Sequence, residues 1–139
     1  MADRVVTDVA ALRRLLNSPD GPLVREMLRA GNRVRNEALP LIPVDEGRLR
    51  ADLHVEIQQD ERGNAMVWIG SRLSYAAAVH NGSRPHFPPV APLLGWVRRH
   101  GMPPGAAYAI QQKIGLVGTK AHPFLTTAIR RVFPNSDRR

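Results

Sequence analysis

The chain contains no cysteine among its 139 residues, which excludes disulfide scaffolds and thiolate chemistry. Aromatic residues make up only 5%, and none of the recognition motifs of the common nucleic-acid modules occurs. Lysine is scarce too: of 20 basic residues, all but Lys113 and Lys120 are arginine. No apolar run approaches the ~20 residues that a membrane-spanning helix needs. The start, Met1-Ala2-Asp3-Arg4, has mixed charge and leads into an amphipathic pattern instead of a secretory apolar core. These absences point to a cytosolically made chain with no membrane association.

What is present fits one folded unit. Hydrophobic residues reach 43% and charged residues 23%, the balance of a globular domain and not of a disordered chain. Formal net charge is +8 and the sequence pI is about 11.3, which suits nucleic acid, a phosphate-rich surface or an acidic protein partner. The preference for arginine over lysine has a simpler source, since a GC-rich coding sequence favours arginine codons.

Hydrophobic periodicity divides the chain. Val5, Val9, Leu12 and Leu16 share one helical face over residues 4–17. The breaker cluster Asn17-Ser18-Pro19-Asp20-Gly21-Pro22 ends that helix, and a second runs over about 22–39. On it Leu23, Met27, Ala30, Val34 and Ala38 form an apolar stripe, with Arg25, Arg29, Arg33 and Asn36 opposite. Pro40 and Pro43 stop it. From Asp52 the period becomes 2, so Leu53, Val55 and Ile57, then Val67 and Ile69, predict an antiparallel hairpin over about 51–70, turning at 60–64. A two-stranded ribbon is marginal alone, so packing on the helices and pairing with further strands are expected.

A short helix follows Tyr75 and ends at Asn81-Gly82, where a left-handed cap is expected. Residues 83–92 hold four prolines and read as a semi-rigid extended arm. Short helices around 93–97, 104–116 and 123–132 complete the pattern. The fold class is therefore α+β: long N-terminal helices on a small antiparallel sheet, short C-terminal helices and a proline-rich arm. The domain spans residues 1–133, followed by a flexible basic tail over 134–139.

Chemistry is sparse. His54, His80, His86, His100 and His122 show no metal-ligand spacing, although His80 and His86 flank the arm and could meet in space. Ser74, Ser83, Thr119 and Thr126 lie in no nucleophile motif. The adjacent carboxylates Asp45 and Glu46 are expected at the positive end of a helical turn starting after Gly47. The segment from Gly101 to Gly105 is too rich in proline to cradle phosphate through its amides. No catalytic residue, metal site or cofactor is expected, and the chain is not expected to be an enzyme. The rival reading is a small basic protein that binds nucleic acid without sequence preference through Arg25, Arg29 and Arg33, with Arg98-Arg99-His100 also able to meet phosphates.

Three motifs carry a resemblance: Pro43, Gly47 and Leu49; then Tyr75, Ala76, Gly82 and Ser83; then Pro123, Phe124 and Leu125, followed by Ala128. In that order, over about 22–132, the chain resembles the tail-completion or head–tail joining (neck) proteins of long-tailed bacteriophages. It carries His80-Asn81 before Gly82 where many relatives have an acidic residue, and its stretch over 84–117 is longer and richer in proline than in the shortest relatives. The resemblance implies a virion structural protein: a homo-oligomeric, sixfold ring between the head-side connector or stopper and the tail terminator or tail tube. Within that reading, Arg84, Pro85, His86, Phe87, Pro88 and Pro89 are candidate subunit or partner contacts. Arg25, Arg29 and Arg33 are the candidate face toward DNA in the channel or an acidic neighbouring ring.

Overall fold

A computed structural model describes residues 8–136. The expected positions of Val5 on the first helix and of the last three tail residues lie outside the described part. Helix α1 (Val9–Leu16) starts at Asp8, whose carboxylate accepts from the Ala11 amide at 3.0 Å. Its apolar face is not buried: Val9, Leu12, Leu15 and Leu16 are all exposed. The Asn17 side chain ties its end to the hairpin by accepting from the Ala65 amide at 2.7 Å.

Helix α2 (Pro22–Ala38) is the spine, with proline in its first turn and no acidic residue there. Its buried line is Val24, Gly31, Val34 and Ala38. The stripe is thus turned slightly from the expected one: Val24 is buried and Leu23 is exposed. The proline brake works as expected. A 3-10 turn (Leu39–Leu41) leads into extended, buried Ile42. Gly47, with φ of 78°, then swings the chain into the short helix α3 (Arg48–Asp52).

Strands β1 (His54–Gln59) and β2 (Ala65–Gly70) pair antiparallel, with Val55 opposite Ile69 and Ile57 opposite Val67. Asp60 closes the turn by accepting from the amides of Arg62 and Asn64, each at 2.8 Å. The further strands expected beside this ribbon are not found among the described residues. α2 covers one face instead, and the other strand-like pairing is an isolated antiparallel bridge, Ser83 to Thr119. α2 alone leaves Val55, Ile57, Val67 and Ile69 half-buried.

Helices α4 (Ala76–Asn81), α5 (Val90–Arg99), α6 (Gly105–Val117) and α7 (Phe124–Val132) follow. α7 returns to pack on α2, whereas α5 and α6 pack on each other through buried Val97 and Ala107. The main core joins Val34, Ala38, Ile42, Leu49, Leu53, Phe124 and Ala128. Burying each of its large side chains contributes roughly 1.5–3 kcal/mol. No helix among the described residues is long and apolar enough to cross a membrane.

Candidate functional site

The three sequence motifs meet around this core. Leu49 comes from the first, Ala76 and Val79 from the second, Phe124 and Leu125 from the third. The last two motifs are stitched together by the His122 amide, which donates to the Val79 carbonyl at 3.0 Å. His80 sets its ring edge-on to Phe124, with centroids 5.1 Å apart, and its Nε2 lies 3.3 Å from the Thr126 hydroxyl. Gly82 leaves α4 with φ of 73° and ψ of 179°. That is positive φ as expected, but extended and not the left-handed helical cap. A Cβ there would lie 2.6 Å from the Thr119 carbonyl oxygen, so the close approach of two backbones also requires glycine.

Beside the first two motifs is a cleft of about 530 Å³ lined by Val44, Arg48, Tyr75, Pro92 and Trp96, among others. Here the structure corrects the expected role of Asp45 and Glu46. No side chain caps α3. The Asp45 carboxylate instead accepts from Arg99 twice, from Nε at 3.1 Å and from Nη2 at 2.6 Å. Glu46 stands 3.3 Å from Arg99 and 2.8 Å from Arg48. The hydrogen bond from Arg99 and its charge hold the Asp45 carboxyl below the usual aspartate range, and the same contact raises Arg99. His100 stacks on Trp96 at 4.0 Å beside this pair. The arrangement latches α5 to the loop before α3. Both carboxylates are neutralised by arginine, so the group works as a clamp.

The arm is shorter than expected and lies on its own chain. α5 begins at Val90 and takes in Pro92, so the extended part ends at Pro89. The His86 amide donates to the Ile114 carbonyl at 3.2 Å, and Gln111 donates to the Pro88 carbonyl at 2.8 Å. The Phe87 ring lies over Gly115, where a Cβ would come within 2.3 Å of it. Yet Phe87 remains 64% exposed, and Arg84, Pro85, His86 and Pro89 are exposed too, with Pro88 half-buried. Leu116 and Val117, next to Gly115 in the chain, are also exposed.

Arg25, Arg29 and Arg33 are exposed on α2. Arg25 donates to the Asp20 carbonyl at 3.1 and 2.9 Å, while Arg29 and Arg33 both approach Glu26, at 3.4 and 3.9 Å. His80 and His86 are not brought together: His86 bonds within its own loop, to the Arg84 carbonyl at 2.9 Å. No group of histidine and carboxylate side chains among the described residues is placed to hold a metal ion. Sequence reasoning missed Gly31, where α2 touches the sheet, and the Asp45–Arg99 latch. A helical glycine on the buried side of a stripe is a readable signal, whereas an ion pair spanning 54 positions leaves none.

Comparison with known proteins adds one finding. No curated protein and no solved structure matches the chain. Residues 23–82 match the HK97-gp10-like family, described as "Bacteriophage HK97-gp10, putative tail-component". That segment begins in α2, holds the hairpin and ends at Gly82, the exit of α4, so it contains the first ordered motif and all of the second except Ser83. Over residues 23–82, less than half of its length, this chain is similar to the HK97-gp10-like family of bacteriophage tail components.

Proposed function

We propose that the chain is the subunit of a sixfold ring in the neck of a tailed phage, joining the DNA-filled head connector to the tail terminator or tail tube. The match of residues 23–82 to a tail-component family is the observation that carries this reading. Its surface supports a ring in particular. A closed ring needs a heterologous interface, two different patches on each subunit. Two apolar patches on different elements stay open to solvent: the α1 face of Val9, Leu12, Leu15 and Leu16, and the patch of Phe87, Leu116 and Val117. Exposed apolar patches of this kind mark association surfaces.

In this reading Phe87, held between Pro85 and Pro88-Pro89, is the anchor of the arm's subunit contact. Arg84 at its root serves a partner. The stripe Arg25, Arg29 and Arg33 faces an acidic neighbouring ring. The protein works by geometry as a virion component and is not an enzyme. Removing its gene should leave filled heads and complete tails accumulating side by side, as counted by electron microscopy of lysates. Phe87→Glu supplied in trans should fail to restore joining while the purified variant keeps the wild-type circular dichroism spectrum. Absent or misshapen tails in the deletion lysate would place the chain elsewhere in the tail and sink the neck assignment.

A further inference from the structure

Charge is segregated along this chain more sharply than its net value indicates. The first 61 residues carry nine arginines against eleven carboxylates, whereas residues 62–136 carry seven arginines, both lysines and not one aspartate or glutamate. A GC-rich coding sequence raises arginine over lysine, but it does not strip carboxylates from such a stretch.

Folding neutralises part of this excess and leaves four of the remaining cations on neighbouring elements. Arg72 reaches Glu56 at 3.0 Å, Arg99 reaches Asp45 at 2.6 Å and Arg131 reaches Glu37 at 3.6 Å. The side chains of Arg84, Arg98, Lys113 and Lys120 are exposed and have no ionic partner among the described residues. All four belong to the α5–α6 hairpin and the segments that tether it. Three of them flank the contacts that tether the hairpin. The Ser83–Thr119 bridge puts Arg84 and Lys120 beside paired backbone positions, and the His86–Ile114 hydrogen bond lays the arm next to Lys113. The other basic clusters are compromised. Arg29 and Arg33 share Glu26, and the cleft of Arg13, Arg14 and Arg62 adjoins Asp60, which Asn64 and the Arg13 charge keep ionised.

We propose that Arg84, Lys113 and Lys120, extended along the hairpin by Arg98, form a sequence-independent binding face for the phosphate backbone of double-stranded DNA. A second copy is a poor occupant, because the chain has little counter-charge to offer. Among the described residues, every carboxylate except those of Asp20 and Glu61 already holds an arginine, an amide or another polar side chain. Uninterrupted like charge on mobile side chains matches an evenly charged polymer, whose condensed counterions are released on binding. Both lysines of this arginine-rich protein lie in the face, and lysine meets phosphate as a point charge without the planar geometry arginine uses. The assignment does not rest on the ring, since a single subunit displays the same face.

The test is fluorescence anisotropy of the full-length chain with a labelled DNA duplex of arbitrary sequence, titrated across a salt series. The wild type should bind, with affinity falling steeply as salt rises. The triple variant Arg84→Ala/Lys113→Ala/Lys120→Ala should lower the log–log salt slope by about three, roughly one for each cation removed, and weaken binding about tenfold at fixed salt. Lys113→Gln/Lys120→Gln, which keeps side-chain length, should lower it by about two. Arg25→Ala/Arg29→Ala/Arg33→Ala should leave the slope at its wild-type value. The proposal is overturned if the wild type does not bind, if the hairpin variants keep the wild-type slope, or if the α2 variant loses as much. Poly-L-glutamate competing as well as DNA at equal charge would also overturn it, assigning the face to an acidic protein.

Discussion

Gly31 shows how one position sets the distance between a helix and a sheet. A Cβ there would lie 2.7 Å from Val55 Cγ1 and 2.9 Å from Val67 Cγ1, so α2 rests on the ribbon at a spacing only glycine allows. Gly31→Leu should therefore lower stability by about 1–3 kcal/mol through overpacking, read as a lower chemical-denaturation midpoint. Gly105→Ala is the control, because a Cβ at the first residue of α6 meets nothing; equal losses at both sites would refute the packing account. Arginine also does residue-scale work that composition hides. Arg35 donates to the Leu53 carbonyl at 2.7 Å and Arg50 to the Ile42 carbonyl at 3.1 Å, pinning the backbone on both sides of α3. A codon preference for arginine would bear only on the residue type. It says nothing of which carbonyl each one finds.

The elements divide into a body and an attached hairpin. α2, the ribbon and α7 share the core, while α5 and α6 pack chiefly on each other and are latched to the body by Arg99 on Asp45 and Glu46 and by the Ser83–Thr119 bridge. The latch carries a pH dependence. The Asp45 pKa is lowered on folding, so its contribution is present above the unfolded aspartate value of about 3.9 and is lost as pH falls through the lower folded value. Protection of the α5 and α6 amides, measured against the intrinsic exchange rate at each pH, should consequently fall in acid below the ordinary carboxylate range. Asp45→Asn should show faster exchange in these helices already at neutral pH and a smaller further change in acid. Identical neutral-pH exchange in variant and wild type would show that the latch contributes nothing. The expected placement of Asp45 and Glu46 at a helix start followed a sound local rule. Tertiary structure overrode it by bringing in a guanidinium from a helix far along the chain.

For the whole molecule, the unpartnered α1 face is the clearest signal of assembly. A helix with a strong apolar stripe ordinarily buries it, yet Val9, Leu12, Leu15 and Leu16 stay exposed. Leu12→Glu/Leu16→Glu should leave the denaturation midpoint within about 0.5 kcal/mol of wild type, as expected of exposed positions. The same variant should abolish higher oligomers in native mass spectrometry. A destabilised monomer would instead mean that the face serves the subunit's own fold.

The sequence alone determined the order and type of most elements, because periods of 3.6 and 2, breaker clusters and proline stops are local signals. The hairpin, with Val55, Ile57, Val67 and Ile69 on one face, and the stop of α2 at Pro40 were legible for that reason. So was the resemblance to phage tail proteins in the first two ordered motifs, since residues 23–82 match a tail-component family. What only the tertiary structure decided were relations between distant positions: Val24 in place of Leu23 against the core, a ribbon with no third strand, the arm folded back over Gly115, and Arg99 closing on Asp45. Each depends on which surfaces meet. Burial and ion pairing act through space, so the partner of a side chain is known only once the chain has closed on itself.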